Sequence, residues 1–293
     1  MSHDIRTPLN GIIGMTYLTE QMQLPPEARD NLRKIDTSSK FLLGLINDIL
    51  EMTKAESGKL ELHPEPYNEK KFVRYLDAVI APLCREKNIK FTVDVKTVKG
   101  IDMLMDPLRI NQVFFNLLSN AVKFTPEGGT VACRLREKRT GQSRLLLTGQ
   151  VSDTGVGISR EFQKVIFDPF TQENRKDSSE ARGSGLGLAI VKKIIDAMGG
   201  TVGVESEIGK GTVFTVSIEV DCIPAEEPEQ EGNDQMQEDD DLSVLDGRHI
   251  LLCEDHPLNQ EIVVALLKEK GVKVSVAEDG KIGVEMFARS MLG

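Results

Sequence analysis

Between Leu32 and Thr53 the chain repeats Leu32, Ile35, Ser39, Leu42, Ile46, Ile49 and Thr53 at alternating spacings of three and four. That alternation is a heptad seam, which only a helix packed lengthwise on another helix can use. Leu43, Leu45 and Leu50 widen the stripe beyond what one partner helix would cover, so a four-helix bundle made by two chains is expected. A first helix supplies the other half of the hairpin, with Ile5, Leu9 and Ile12 at spacings of four and three, and continues through Ile13 and Leu18. Gln23-Leu24-Pro25-Pro26 breaks it, because proline lacks an amide donor and fixes its own backbone. Pro8, inside that helix, should disturb the bond to the carbonyl of Asp4 and bend the helix beside His3. Ser57-Gly58 closes the hairpin, giving a first domain over 1–57.

From Leu60 the period changes. Leu60, Leu62 and Tyr67 suggest a strand region, Phe72–Lys87 a helix, and Phe91, Val93 and Val95 an alternating strand. Asp106 is placed to cap a helix running through Ile110, Val113, Phe114, Leu117 and Leu118 to Val122. Strands are expected at 130–137, 144–152, 201–206 and 212–220, and helices at 159–166 and 185–198. This order predicts a two-layer α/β sandwich with a mixed sheet over 58–220. Residues 221–246 contain no Lys or Arg and are crowded with acidic residues, so they read as a disordered linker. Residues 247–293 hold a strand, His249–Cys253, the acidic pair Glu254-Asp255, a helix through Ile262, Val263, Leu266 and Leu267, a second strand at 272–276 and the start of another helix. The whole is an α+β multidomain chain.

A net charge of −10 argues against a nucleic-acid groove as the main surface. No apolar run is long enough to span a bilayer and no secretory leader precedes Ser2, so a cytoplasmic location is expected. Cys84, Cys133, Cys222 and Cys253 are scattered and read as reduced thiols.

Four segments carry chemistry. His3 stands beside Asp4 on the first helix, and an imidazole there can attack phosphorus through one ring nitrogen while the carboxylate holds the other nitrogen's proton. Asn116, Asn120 and Lys123 lie four and three apart and share a helix face. Their amide oxygens suit Mg²⁺ and their ammonium suits phosphate. Asp153-Thr154-Gly155-Val156-Gly157-Ile158 ends a strand, where a carboxylate can accept from an exocyclic amine and the glycines let backbone approach a ligand. Gly183-Ser184-Gly185-Leu186-Gly187-Leu188 opens a helix, whose unpaired amides favour phosphate oxygens. It is neither a P-loop nor a dinucleotide fingerprint.

Taken in this order the segments resemble a sensor histidine kinase of two-component signalling, the catalytic part of a hybrid kinase with an attached receiver. Ser2–Asn10 resembles the phosphoacceptor box, Asn116–Thr125 the asparagine box, and Asp153–Ile158 the first glycine box. Phe167-Asp168-Pro169-Phe170 resembles the phenylalanine box, Gly183–Leu188 the second glycine box, and Gly211-Thr212 the threonine segment that helps close the adenine site. The resemblance implies ATP and Mg²⁺ as cofactors, adenine on Asp153, Mg²⁺ on Asn120 with Asn116 nearby, and a mobile lid between Phe170 and Gly185. It implies transfer of the γ-phosphoryl to His3, with Asp4 activating the imidazole, for relay to an aspartate of a response regulator or receiver. Asp4-Ile5-Arg6-Thr7 further resembles the D-x-x-T pattern that positions water for dephosphorylation of the partner, which makes Thr7 a candidate phosphatase residue. In the tail, Glu254-Asp255 matches a receiver's Mg²⁺-holding pair, expected to be inactive because the phosphoacceptor strand lies beyond Gly293. The abrupt start before His3 and the partial receiver are both read as truncations of a parent that the family would allow to be membrane-attached. The alternatives are an ATPase of the same superfamily without phosphohistidine, and a catalytically impaired nucleotide-binding dimer scaffold. The other histidines, His63, His249 and His256, are read as structural or exposed.

Overall fold

Proline sets the junction of the first two helices in the computed structural model. The structure describes residues 2–22, 24–56, 60–173, 184–225 and 245–290, without the side chains of residues 2–4, 51 and 54–56. Helix α1 (Ser2–Glu20) carries Pro8 inside it without ending there. Helix α2 (Pro26–Glu56) begins on Pro26, where the missing N–H costs nothing. One row of the heptad face is left bare. Ile5 and Ile12 on α1, and Ile35, Leu42 and Ile49 on α2, are 42–47% exposed and recur every seven residues. Leu9, Thr16, Ser39 and Met52 are buried.

The chain divides into two units, Met1–Asn47 with Gln230–Gly293, and Asp48–Glu229. In the first, the tail forms β8 (His249–Cys253), α7 (Pro257–Glu269), β9 (Lys273–Ala277) and α8 (Gly280–Ser290), with β8 and β9 paired in parallel. α7 lies on α1 at two glycines. A Cβ at Gly11 would come within 2.5 Å of Leu258, and one at Gly14 within 2.4 Å of Ile262. The absence of side chains there lets the helices approach, and Ile262 is buried as a result.

The second unit is built on a seven-stranded sheet in the order β1-β3-β7-β5-β4-β2, with β6 also on β7. Its strands are β1 (Glu65–Tyr67), β2 (Lys90–Lys96), β3 (Ile101–Met105), β4 (Thr130–Arg139), β5 (Arg144–Asp153), β6 (Thr201–Glu207) and β7 (Gly211–Pro224). β2 runs parallel to β4 and the other pairs are antiparallel. β7 is long enough to pair with β6 over its first half and with β3 over its last four residues. Helices α3 (Glu69–Glu86), α4 (Pro107–Phe124) and α6 (Gly187–Ala197) give their apolar faces to one core with the sheet. Asp106 caps α4 as expected, accepting from the backbone N–H of Arg109 at 3.1 Å, and also holds the N–H of His63 at 3.0 Å.

Three local expectations are corrected. The helix expected over 159–166 is only α5 (Arg160–Gln163). Ser159 caps it, but Lys164 and Val165 turn back onto Glu161 and Phe162, and the Gln163 side chain leaves to bond Ile158 and Ser206 carbonyls. The strand region at Leu60–Leu62 is irregular, and pairing begins at Glu65. β7 does not stop at 220: residues 221–224, expected in the linker, stay in the sheet and pair with β3, a strand the sequence pattern did not reveal.

Candidate functional site

A cavity of about 810 Å³ opens where the ends of α4, β5, β7 and α6 meet in the second unit. α4 presents Asn116, Asn120 and Lys123 to it, one face as the spacing required. Asn116 Nδ2 donates to the carbonyl of Gly187 at 3.3 Å, and among the described residues its Oδ1 is the end of the amide left over. Lys123 Nζ stands 5.2 Å above the Phe124 ring, and burial lowers its pKa.

β5 delivers Asp153 to the cavity at its last residue. Burial raises its pKa, and the N–H groups of Gly155 and Thr212 oppose that shift by donating to the carboxylate, Gly155 at 2.8 Å. A half-buried carboxylate held by two backbone donors is fixed in orientation and keeps lone pairs for a ligand. Gly157 has φ +70°, and a Cβ there would fall 2.0 Å from the carbonyl oxygen of Glu207. Gly157, Ile158, Ile208, Thr212 and Phe214 form the wall around Asp153, as a flat apolar base would need.

α6 begins at Gly187 with no side-chain cap, so its first amides face the cavity beside Gly185 and Leu188. Leu186 is fully buried and anchors that start in the core. Four of the expected residues thus do not line the cavity: Gly155, Leu186, Phe167 and Phe170. Gly155 acts through Asp153, and Phe167 packs edge-on against Phe214 at 6.4 Å. Phe170 is 66% exposed on a left-handed backbone, φ 62°, with its N–H on the carbonyl of Gly185 at 3.0 Å. Gly183 and residues 174–182, where a lid was expected, lie outside the described residues.

Residues 105–221 match the family model "Histidine kinase-, DNA gyrase B-, and HSP90-like ATPase", and residues 1–58 match "His Kinase A (phospho-acceptor) domain". The chain is 36% identical over 288 residues to an autoinducer 2 sensor kinase/phosphatase, LuxQ, of Vibrio vulnificus, covering 97% of this chain and 33% of that one. It is 36% identical over 275 residues to the sensor histidine kinase GacS of Pseudomonas protegens, covering 94% and 29%. Among solved structures, full-length ShkA in complex with AMPPNP superposes with a TM-score of 0.63 at 28% identity, covering 97% of this chain and 56% of that one. The chain belongs to the sensor histidine kinases. It spans about a third of the length of the curated relatives it matches.

In this histidine kinase chain α1 carries His3 and Asp4 in its first turn, with both side chains outside the described residues. Thr7 is half-buried one turn later. Sequence reasoning missed three polar residues at the cavity. Lys87 donates from Nζ to the carbonyls of Val122 and Lys123 at 2.9 and 2.8 Å, closing the end of α4. Ser184 donates to Asp48 Oδ2 at 2.9 Å and accepts from the N–H of Leu186 at 3.2 Å. The boxes gave no signal for Lys87 or Asp48, because each is remote in sequence from the atoms it holds.

In the tail, Glu254 is already engaged: its Oε1 accepts from His256 N–H at 3.2 Å and Asn259 Nδ2 at 2.9 Å. Asp255 is exposed. His249 Nε2 bonds Ser275 Oγ at 2.7 Å, a structural contact as expected. Among the described residues no group of three His, Cys, Asp or Glu gathers to hold a metal.

Proposed function

We propose that this chain binds ATP in the cavity between α4, β5 and α6 and transfers its γ-phosphoryl group to a ring nitrogen of His3. The observation that carries the reading is one cavity bringing amide oxygens, an ammonium, bare helix-start amides and a fixed half-buried carboxylate together, in a chain whose first 58 residues match the phosphoacceptor family.

Asp153 takes the adenine amine, with Thr212 beside it and Ile158, Ile208 and Phe214 against the ring. Lys123 and the start of α6, with Gly185 and Gly187, take the phosphates, and their work is positioning and charge neutralisation. The imidazole nitrogen attacks the γ-phosphorus, the bond to the β–γ bridging oxygen breaks, and ADP leaves as the N–P bond forms. Asp4 holds the proton on the other ring nitrogen and stabilises the imidazolium. Mg²⁺ would accompany the nucleotide, and the tethered amide of Asn116 suits it because, among the described residues, the oxygen is the end left over. Asn120 and Asn116 would hold it, and it would offset phosphate charge.

The finer readings follow from the same family. The bare faces at Ile5, Ile12, Ile35, Leu42 and Ile49 support a homodimer through 1–57. The ATP-binding domain runs from 58 past the expected 220 to 224, because residues 221–224 pair with β3; the residues from there to 246 are a linker, and 247–293 are receiver-like. The strand–helix–strand order of the tail and its Glu254-Asp255 pair support that last assignment, and the seat of α7 on α1 supports a receiver or response regulator as partner of the acceptor helix. Relatives named kinase/phosphatase support Thr7 as the residue that positions water for the reverse activity. No described helix is long and apolar enough to cross a membrane, and the site is assigned to the cytoplasm, where ATP is.

The test is incubation with γ-labelled ATP. Wild type gains acid-labile, base-stable phosphate, while His3→Ala gains none and still binds ATP. Label retained by His3→Ala would overturn the assignment. Asn120→Ala weakens nucleotide binding in calorimetry.

A further inference from the structure

Behind the base end of the cavity two hydroxyls form a relay with a fixed direction. Ser206 Oγ lies 2.8 Å from the carbonyl oxygen of Gly211 and 2.9 Å from Thr212 Oγ1. A carbonyl only accepts, so the Ser206 proton goes to Gly211. Ser206 Oγ must then accept, and the Thr212 hydroxyl must donate to it. Thr212 is left with lone pairs alone for the cavity it lines. Its ladder partner is Asp153, directly opposite on β5, whose carboxylate also only accepts. Ser206 itself does not line the cavity. It is held in place by register, opposite Thr212 on β6, and the Gln163 amide clamps its carbonyl at 2.9 Å. Gly211 reaches the geometry at φ +103°, where a Cβ would lie 1.9 Å from the carbonyl oxygen of Asp153.

We infer that Ser206 is a positioning residue for base selection: by taking the Thr212 proton it makes the base end of the site an all-acceptor surface. The inference rests on the ATP-site reading above and adds the source of its preference. A purine bearing an amine at C6 meets that surface with the amine's two N–H donors, and a water that donates one proton to Thr212 keeps the other for the ring N1 acceptor. A purine bearing a C6 carbonyl meets it with a third acceptor, and the mismatch leaves buried lone pairs unpaired. Without Ser206 the Thr212 proton is released, and the hydroxyl can turn to donate to a C6 carbonyl.

The test is equilibrium binding of ATP and ITP to the full chain, read as the ratio of their dissociation constants. Wild type favours ATP. Ser206→Ala narrows the ratio about tenfold, the scale of one mispaired buried hydrogen bond, by gaining on ITP as well as losing on ATP. Ser206→Thr, which keeps the acceptor, restores the wild-type ratio. Ser206→Cys, a poor acceptor of similar size, falls between and serves if the alanine variant does not fold. In a Thr212→Val background Ser206→Ala leaves the ratio unmoved. A general packing role would weaken both nucleotides equally, and an unchanged ratio in Ser206→Ala and Ser206→Cys would overturn the inference while leaving the ATP site intact. Failure of wild type to bind ATP at all would instead remove the underlying reading.

Discussion

Helices α2 and α4 carry comparable apolar stripes and end in opposite environments. In α4, Ile110, Val113, Phe114, Leu117, Leu118, Ala121 and Val122 are all between 0% and 7% exposed. α2 is 31 residues long, yet among its described side chains only Ser39 and Met52 are buried. An amphipathic stripe states that a helix needs a partner and does not say which. α4 finds its partner in its own sheet. α2 keeps the Ile35, Leu42 and Ile49 row of its seam open, as a helix does when a second chain completes it.

Substitutions that treat the two helices alike should therefore separate them. Phe114→Ala, which empties a site packed 4.9 Å from Phe72, is expected to cost about 3–5 kcal/mol in chemical denaturation of the second unit. Gly14→Leu, which drives a side chain into Ile262, should cost about 1–3 kcal/mol by overpacking in the α1–α7 contact. It should leave ATP affinity unchanged, and a loss of nucleotide binding would contradict the division of the chain.

Asp153→Asn sharpens the contrast between stability and function inside the sandwich. It should weaken ATP binding about 10–100-fold, the worth of a hydrogen bond to a charged group. The stability effect has the opposite sign. Burial raises the folded pKa of Asp153 above its ordinary value. Its favourable contribution is then present at low pH and lost as pH rises through the folded value. The melting temperature of the Asn variant minus that of wild type should become more positive as pH rises above the ordinary carboxylate value of 3.8. A difference that stays flat would mean the carboxylate carries no burial penalty. Leu42→Ser should move the stability of an isolated chain least, within about 0.5 kcal/mol. Its effect belongs in sedimentation, as a shift from dimer to monomer.

Much of the site was readable because its parts sit on regular elements. Asn116, Asn120 and Lys123 share a face by helical arithmetic, and Asp153 ends a strand whose alternation was plain. β3 was not readable. Ile101-Asp102-Met103-Leu104-Met105 has no β-branched alternation to mark it, and pairing with residues 221–224 on β7 makes it a strand. Phe167 carries the motif, and its ring packs on Phe214 and stays out of the cavity, a placement that local spacing does not give.

By itself, the order of residues determined the helical hairpin, the sandwich and the glycine turns, because periodicity and the freedom of glycine act over a few neighbours. The tertiary structure alone decided which hydroxyl gives its proton to which oxygen, what Lys87 and Asn116 hold, and which apolar stripe stays bare. Hydrogen bonds are directional and span a few ångströms, so their partners are fixed by strand register and helix docking across gaps of 35 and 71 residues.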